Sequence, residues 1–265
     1  MCRIPTIKGS RFSSMLKSPI RRINLVLWAF LMVLSASGST LSNAAGPMLS
    51  DINGPIKNKH NLSSRNTGVT YRAMDNPADP RSTQICIFCH TPHNAVAQTA
   101  LWNRKDPTRF FGHYSSATLV IDNPNVRSAS QFGEPNGSSR LCLSCHDGQT
   151  ALGAVWNGAV IQFPVGSDKI SYRNLSSHHP VSFVYNNAVL GAILIKKPTE
   201  GYQLPPVSSV VKLDKLQRMQ CTSCHDPHQD QSVTPNSALT PFWVGSDHDA
   251  VCKECHNINP LPLNP

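Results

Sequence analysis

Apolar positions in this chain come in short stretches, separated by polar segments rich in Ser, Asn and Gly, with 21 prolines among 265 residues. Between residues 150 and 215, the stretches VSFVY (181–185) and VLGAILI (189–195) predict short strands or a β-hairpin. Elsewhere the composition predicts turns and only short helices. On composition alone, partial disorder is the alternative.

A further apolar run, from Ile23 to Leu34, follows a basic N-terminal segment. Residues 1–44 contain six basic side chains, no acidic one and a closing Ser42-Asn43-Ala44, which together form the pattern of a secretory signal peptide. An uncleaved membrane anchor is the alternative, but the run is shorter than the roughly 20 apolar residues that span a bilayer. We therefore predict a signal peptide over residues 1–44, with Met15 as an alternative start, and an exported single domain over residues 45–265.

The precursor's net charge of +9 comes mostly from this leader. Removing its six basic groups from the chain's 24 leaves 18 basic against 15 acidic groups, a net charge of +3. So small a balance argues against a nucleic-acid partner.

Eight of the nine cysteines form four pairs of one spacing, each followed at once by histidine. The four CxxCH motifs are CIFCH at 86–90, CLSCH at 142–146, CTSCH at 221–225 and CKECH at 252–256. CxxCH is the attachment signature of c-type haem: both thiols add to the vinyl groups of one haem, and the histidine becomes the proximal iron ligand. Zinc ribbons also use CxxC pairs but do not require the histidine. An even number of cysteines in an exported chain also raises disulfides as an alternative. The pattern therefore predicts covalent haem at Cys86, Cys89, Cys142, Cys145, Cys221, Cys224, Cys252 and Cys255, with His90, His146, His225 and His256 as proximal ligands.

The second iron ligand of each haem has to come from elsewhere in the chain. Seven other histidines compete with three methionines of the mature chain, Met48, Met74 and Met219, so supply favours two histidines per iron and a low potential. His93 and His228 are the strongest candidates, since CHTPH and CHDPH repeat one pattern. A histidine three residues from a proximal ligand cannot reach the opposite face of the same haem and would bind a neighbouring one.

The remaining histidines have less support from the sequence. His179 is preferred over His178, because the following Pro180 restricts its backbone to an extended conformation. His60 stands alone in a polar segment, and His113 and His248 have no supporting pattern. Surface contacts are the alternative for all three.

The chain resembles the tetrahaem c-type cytochromes of metal-reducing bacteria, including the extracellular filament cytochromes of the OmcE type. The resemblance is carried by KHNLS at 59–63, CIFCHTPHN at 86–94, LWNR at 101–104, YSS at 114–116, LCLSCHDG at 141–148, HPVSF at 179–183, CTSCHDPH at 221–228 and the closing CKECH. It implies that His60, His93, His179 and His228 are the distal ligands. It also implies that one distal ligand comes from an adjacent subunit, and His60 is the residue suspected of that role. The double histidine at 178–179 and the stretch around His113 depart from the pattern and leave the ligand assignment open.

These observations predict a multihaem cytochrome c fold with little regular secondary structure, short helices around the motifs and a core packed by haem. About 55 residues for each motif cannot enclose a conventional core, whereas each porphyrin supplies a large apolar face. Five aromatic residues are candidates to line those faces, although ordinary packing explains them equally well: Trp102, Trp156, Trp243, Phe110 and Phe111. Four haems would also shift the net charge to roughly −1 oxidised and −5 reduced.

The expected function is electron transfer through four haems, without enzymatic activity, in the periplasm or at the cell surface. Other redox proteins, an extracellular acceptor and further copies of the chain are the expected partners, and the mature chain is expected to have no membrane span. The alternatives are a multihaem reductase with one open iron and a redox subunit of a larger complex.

Overall fold

Short helices are the main regular structure of the chain. The computed structural model describes residues 58–96, 99–116, 119–121, 135–171, 173–233 and 238–257. The predicted signal peptide lies outside these residues. Within the described ranges, no helix is long and apolar enough to cross a membrane.

Three α-helices occur in the described residues, and two of them carry a cysteine motif. Helix α1 spans Gly137–Leu143, α2 spans Asn187–Lys196 and α3 spans His248–Lys253. The 3-10 helices are Pro80–Thr83, Cys86–Phe88, Thr99–Leu101, Leu175–Ser177, Cys221–Ser223 and Gln231–Val233. The first and third motifs thus begin in 3-10 turns, and the second and fourth begin in α-helices, as predicted for short helices around the motifs.

The strands are two residues long and join distant parts of the chain. Strand β1 (Phe183–Val184) pairs antiparallel with β3 (Arg218–Met219), and β2 (Gly201–Tyr202) pairs antiparallel with β4 (His256–Asn257). In the register of the first pair, Phe183 lies opposite Met219. The first pair joins residues 183–184 to the segment just before the third motif. The second pair joins residues 201–202 to the end of the fourth motif.

The stretch VLGAILI is a helix and not the second strand that its apolar pattern suggested. Asn186 caps helix α2, because its side-chain oxygen accepts the backbone N–H of Val189 at 3.0 Å. Val189 and Ile193, four residues apart, then share the buried face. Short apolar runs of this kind fit either structure, and the cap decides between them.

The protein's own core is divided into three small clusters. The first contains Leu62, Ala73, Phe88, Leu152, Val155, Ile161 and Phe163, the second Ile121, Phe183, Tyr185, Val189, Ile193, Met219 and Cys255, and the third Phe111, Leu143 and Leu175. Each cluster includes or adjoins residues of a cysteine motif. No single apolar layer therefore organises the described residues.

A buried polar latch holds helix α1 against the third motif. Gln220 is 1% exposed, and its side-chain oxygen accepts the hydroxyl of Ser139 at 2.6 Å. The same hydroxyl oxygen accepts the backbone N–H of Cys221, and the Gln220 amide donates to Asp214 at 2.9 Å. The latch therefore connects the second and third motifs through hydrogen bonds.

Acid should weaken this latch. Burial alone would raise the pKa of Asp214, but hydrogen bonds from Arg218, Gln220 and Leu216 hold that pKa below its usual value. A lowered carboxylate pKa contributes stability above about pH 4 that is lost as the pH falls through the folded pKa. Asp214→Asn should therefore lower the free energy of unfolding by about 1–3 kcal/mol at pH 7. In thermal melts, this gap should narrow as the pH falls below about 4 and the carboxylate is protonated. The exposed Asp75→Asn should show no such gap, and a gap that does not narrow in acid would refute the role of the charge.

Candidate functional site

All four motifs fold into the same tight turn. The backbone N–H of the second cysteine donates to the carbonyl of the first at 3.1 Å in the first two motifs and 3.2 Å in the last two. This turn places both sulfur atoms on one side of the backbone, just before the histidine. All eight of these cysteines are free thiols.

Three of the four motif histidines lie opposite a second histidine at one distance. The ring centroids of His60 and His146, of His90 and His228, and of His179 and His256 are each 6.3 Å apart. Two imidazoles that each bind one iron through a bond of about 2 Å would have centroids about 6 Å apart. The three pairs therefore have the spacing of the two axial ligands of a haem iron.

Hydrogen bonds orient these rings for the same role. Nδ1 lies 2.6 Å from the carbonyl of Ala100 in His90, 2.8 Å from that of Pro241 in His225 and 2.8 Å from that of Pro180 in His179. In His60, Nδ1 lies 3.0 Å from the carbonyl of Pro227. A carbonyl oxygen only accepts, so Nδ1 carries the proton in each ring. The other nitrogen, Nε2, is left as the ligand atom, which is the usual arrangement around a protein-bound metal.

The fourth motif opens onto a cavity of about 210 Å³. His179, His256 and Cys255 line it together with apolar side chains that include Ile121, Phe183 and Ile193. Two facing histidines, a motif cysteine and an apolar wall are the chemistry that a c-type haem requires.

Burial favours the neutral form of two of these histidines and the protonated form of three of the motif thiols. It lowers the pKa of His146 to about 4 and also lowers that of His60. It raises the pKa of Cys89 and Cys224 to about 12 and that of Cys255 to about 11. A neutral imidazole is the form that binds iron.

His225, in the third motif, differs from the other three. No histidine of the described residues lies opposite it at the spacing of the other pairs. His178 is near enough to interact with it electrostatically, and His93 is exposed on the surface. Because His178 is in extended backbone, its side chain and that of His179 point to opposite sides. His179 turns to the fourth motif, and His178 is left on the side of the third.

The other candidate residues lie away from these pairs. His248 accepts the backbone N–H of Thr240 at 3.0 Å, and His113 is buried. Met74 is exposed, Met219 belongs to the second core cluster, and Met48 lies outside the described residues. Among the aromatic candidates, Trp156 and Phe110 are exposed and Phe111 packs in the third cluster.

The first and third motifs share a tryptophan contact that the repeated CxxCHxPH pattern did not predict. Each proximal histidine forms a β-bridge with a tryptophan, His90 with Trp102 and His225 with Trp243. The ring centroids are 5.5 and 5.6 Å apart, with interplanar angles of 84° and 81°. In both cases Nδ1 of the histidine lies against the carbonyl two residues before the tryptophan. The signal was present as an apolar residue and a tryptophan after each CxxCHxPH, but the intervals differ.

The chain is therefore an internal duplication. Each half has a lone histidine (His60 or His179), a CxxCHxPH motif with its tryptophan, and a CxxCH motif in an α-helix whose histidine faces the lone one. The unequal spacing of the motifs along the sequence hides this repeat.

Cysteines of successive motifs lie near one another. Cys89 and Cys145 interact electrostatically, as do Cys224 and Cys255. The thiols of Cys142 and Cys221 form a hydrogen bond with each other.

Comparison with known families agrees with this site. Residues 215–259, which include the third and fourth motifs, match the family described as Doubled CXXCH motif. No curated protein matches the chain. The match supports covalent binding of c-type haem and a multihaem c-type cytochrome, and the predicted fold class of little regular structure with short motif helices is confirmed.

Proposed function

We propose that this protein is an electron carrier that holds four haems, one at each CxxCH motif. The three histidine pairs at 6.3 Å are the observation that carries the proposal, because both axial positions of an iron between them are filled. Haem supplies reversible one-electron chemistry when bound. The chain's own residues attach it, orient the axial imidazoles through Nδ1 and exclude water with apolar side chains.

The contacts between motifs support a linear path for the electron. Cys142 of the second motif contacts Cys221 of the third, Cys89 of the first lies near Cys145 of the second, and Cys224 of the third lies near Cys255 of the fourth. An electron that enters at one end would pass the motifs in sequence order. Export to the periplasm or cell surface, inferred from residues 1–44, fits a respiratory role for such a path.

A reductase is the competing function, and it needs an iron with one open position. The resting ferric protein should therefore show only low-spin haem in its electron paramagnetic resonance spectrum. The reduced protein should not bind carbon monoxide. A high-spin signal or a carbon monoxide adduct in the assembled protein would favour the reductase.

We further propose that chains associate head to tail through His93. In the duplication, His228 of the second half faces His90 of the first half. His93 is the equivalent of His228, and it is exposed. By the same relation between halves, His93 would bind the iron held by His225 in the second half of another copy. His60 has a partner within its own chain, His146, so we place the shared ligand at His93 instead.

This head-to-tail contact predicts a filament. A free His93 remains at one end and an iron that lacks its second ligand remains at the other, so each end can bind a further copy. His93→Ala should reduce secreted filaments to monomers in electron micrographs. It should also give one high-spin haem in four. His178→Ala should leave filaments intact. If it produces the high-spin haem and His93→Ala does not, His178 is the ligand and the proposed exchange is wrong.

A further inference from the structure

The segment Leu101–Arg104 (LWNR) joins the first two motifs. The backbone N–H of Asn103 donates to the carbonyl of Cys89 at 2.8 Å, and its side-chain amide donates to the carbonyl of Ile87 at 2.6 Å. The guanidinium of Arg104 donates to the carbonyl of Ser144, within CLSCH, at 3.2 Å from Nε and 3.1 Å from Nη2. Arg104 therefore lies between two haem attachment turns.

Arg104 is a fully buried charge that forms no ion pair within the part of the chain that the structure describes. Its side chain is 0% exposed, and its remaining hydrogen bonds go to the carbonyls of Leu152 at 2.7 Å and Ala151 at 2.9 Å. No carboxylate of the described residues forms an ion pair with it. A guanidinium stays charged in proteins, and burial of an unpaired charge is costly. Three carbonyl groups hold the charge in place, but none of them neutralises it.

The second half of the chain lacks this charge. Arg104 stands two residues after Trp102, and the residue two positions after Trp243 is Gly245. A side chain on Gly245 would collide with Val251. The two halves therefore share one scaffold but differ at this buried position beside the haem attachment sites.

The positive charge of Arg104 acts electrostatically on a cysteine in each of the two motifs of the first half. Burial raises the pKa of Cys89 and Cys145, and the Arg104 charge opposes that rise at both thiols. One buried carboxylate, that of Asp147, lies near the second motif. It is engaged by Thr150 through both its hydroxyl and its backbone N–H. Asp147 offsets part of the cation's effect at the second motif and leaves the first motif fully exposed to it.

We propose that Arg104 raises the reduction potentials of the haems at the first two motifs above those of the other two. This rests on the proposed electron-transfer function. Reduction adds an electron, so a fixed positive charge in a poorly screened interior favours the reduced state. Electrons would then move downhill from the fourth motif towards the first, and Arg104 would set that direction.

The test is a spectroelectrochemical titration of the whole haem-loaded protein. Arg104→Gln removes the charge and should lower the ferrous-to-ferric ratio of first-half haems about tenfold at a fixed potential. One unit charge at roughly 10 Å has an effect of that size in a protein interior. Tenfold corresponds to 59 mV for a one-electron couple. Arg104→Lys loses most of the same hydrogen bonds but keeps the charge, and its potentials should stay near those of the unaltered protein.

Lys105→Gln is the matched control. It removes an equal charge one residue away, where the side chain is exposed, and should leave all four potentials unchanged. Equal shifts in Arg104→Gln and Arg104→Lys would show a structural effect and overturn the proposal.

A second measurement needs no variant. Nuclear magnetic resonance of the unaltered protein should show the first-half haems remaining reduced longest during stepwise oxidation, and the reverse order would also overturn the proposal. Four low-spin haems with the wrong order would refute only this inference. A high-spin haem in the assembled protein would refute the electron-carrier function itself.

Discussion

Replacement of Cys252 and Cys255 by alanine should lower the haem content of the purified protein from four per chain to three. Each motif supplies the two thiols of one haem, and the loss of both leaves no site for a covalent bond. The pyridine haemochrome spectrum, normalised to protein, measures the change directly. Intact mass should fall by one haem beyond the two substitutions.

The residues between these cysteines provide the control. Lys253→Ala combined with Glu254→Ala changes the same turn but keeps both thiols and His256, so the haem content should stay at four. A zinc site makes the opposite prediction: the unaltered chain would carry no covalent haem mass, and chelators would remove its metal. Either finding in the unaltered protein would refute haem attachment.

His179→Ala should open one axial position in the cavity at the fourth motif. The opposite ring, His256, lies 6.3 Å away and would be left as the single protein ligand there. The ferric spectrum should show about one quarter of the iron as high-spin, and the reduced protein should bind carbon monoxide at that haem. Added imidazole should restore the low-spin spectrum, because it fills the space that the side chain left.

The control for this variant is His248→Ala. His248 is also in the second half, but its ring faces Trp243 and Thr240 and no motif histidine. Its loss should leave every haem low-spin. If His179→Ala also leaves every haem low-spin, His179 is not a ligand and the geometry of the cavity needs another explanation.

The sequence predicts those features of the structure that depend on residues close together in the chain. The CxxCH turns need only a carbonyl and an N–H three residues apart, so spacing alone was sufficient to place the thiols and the proximal histidine. The choice between strand and helix at 189–195 was less certain. The helix begins with a capping hydrogen bond that the Asn186 side chain accepts from the backbone N–H of Val189, which an apolar pattern does not reveal.

Which histidine faces which motif histidine depends, in contrast, on residues that are far apart in the sequence. His60 lies far in sequence from His146, and its ring also stacks on Phe242 at 3.9 Å. Likewise the equivalence of Trp102 and Trp243 is concealed because the loop after the first motif is shorter than the loop after the third. The internal repeat that organises the site is evident in the structure, where each of the two tryptophans forms a β-bridge with a proximal histidine.

The contact between Cys142 and Cys221 constrains how the protein can be made. Both cysteines are only partly exposed, and their thiols form a hydrogen bond with each other in the folded polypeptide, beside the latch through Gln220 and Ser139. Once that contact has formed, neither thiol is open to an incoming porphyrin, and an oxidising compartment would favour a disulfide between them. We therefore expect the haems to be joined before this contact forms, so that covalent modification precedes the final folding step.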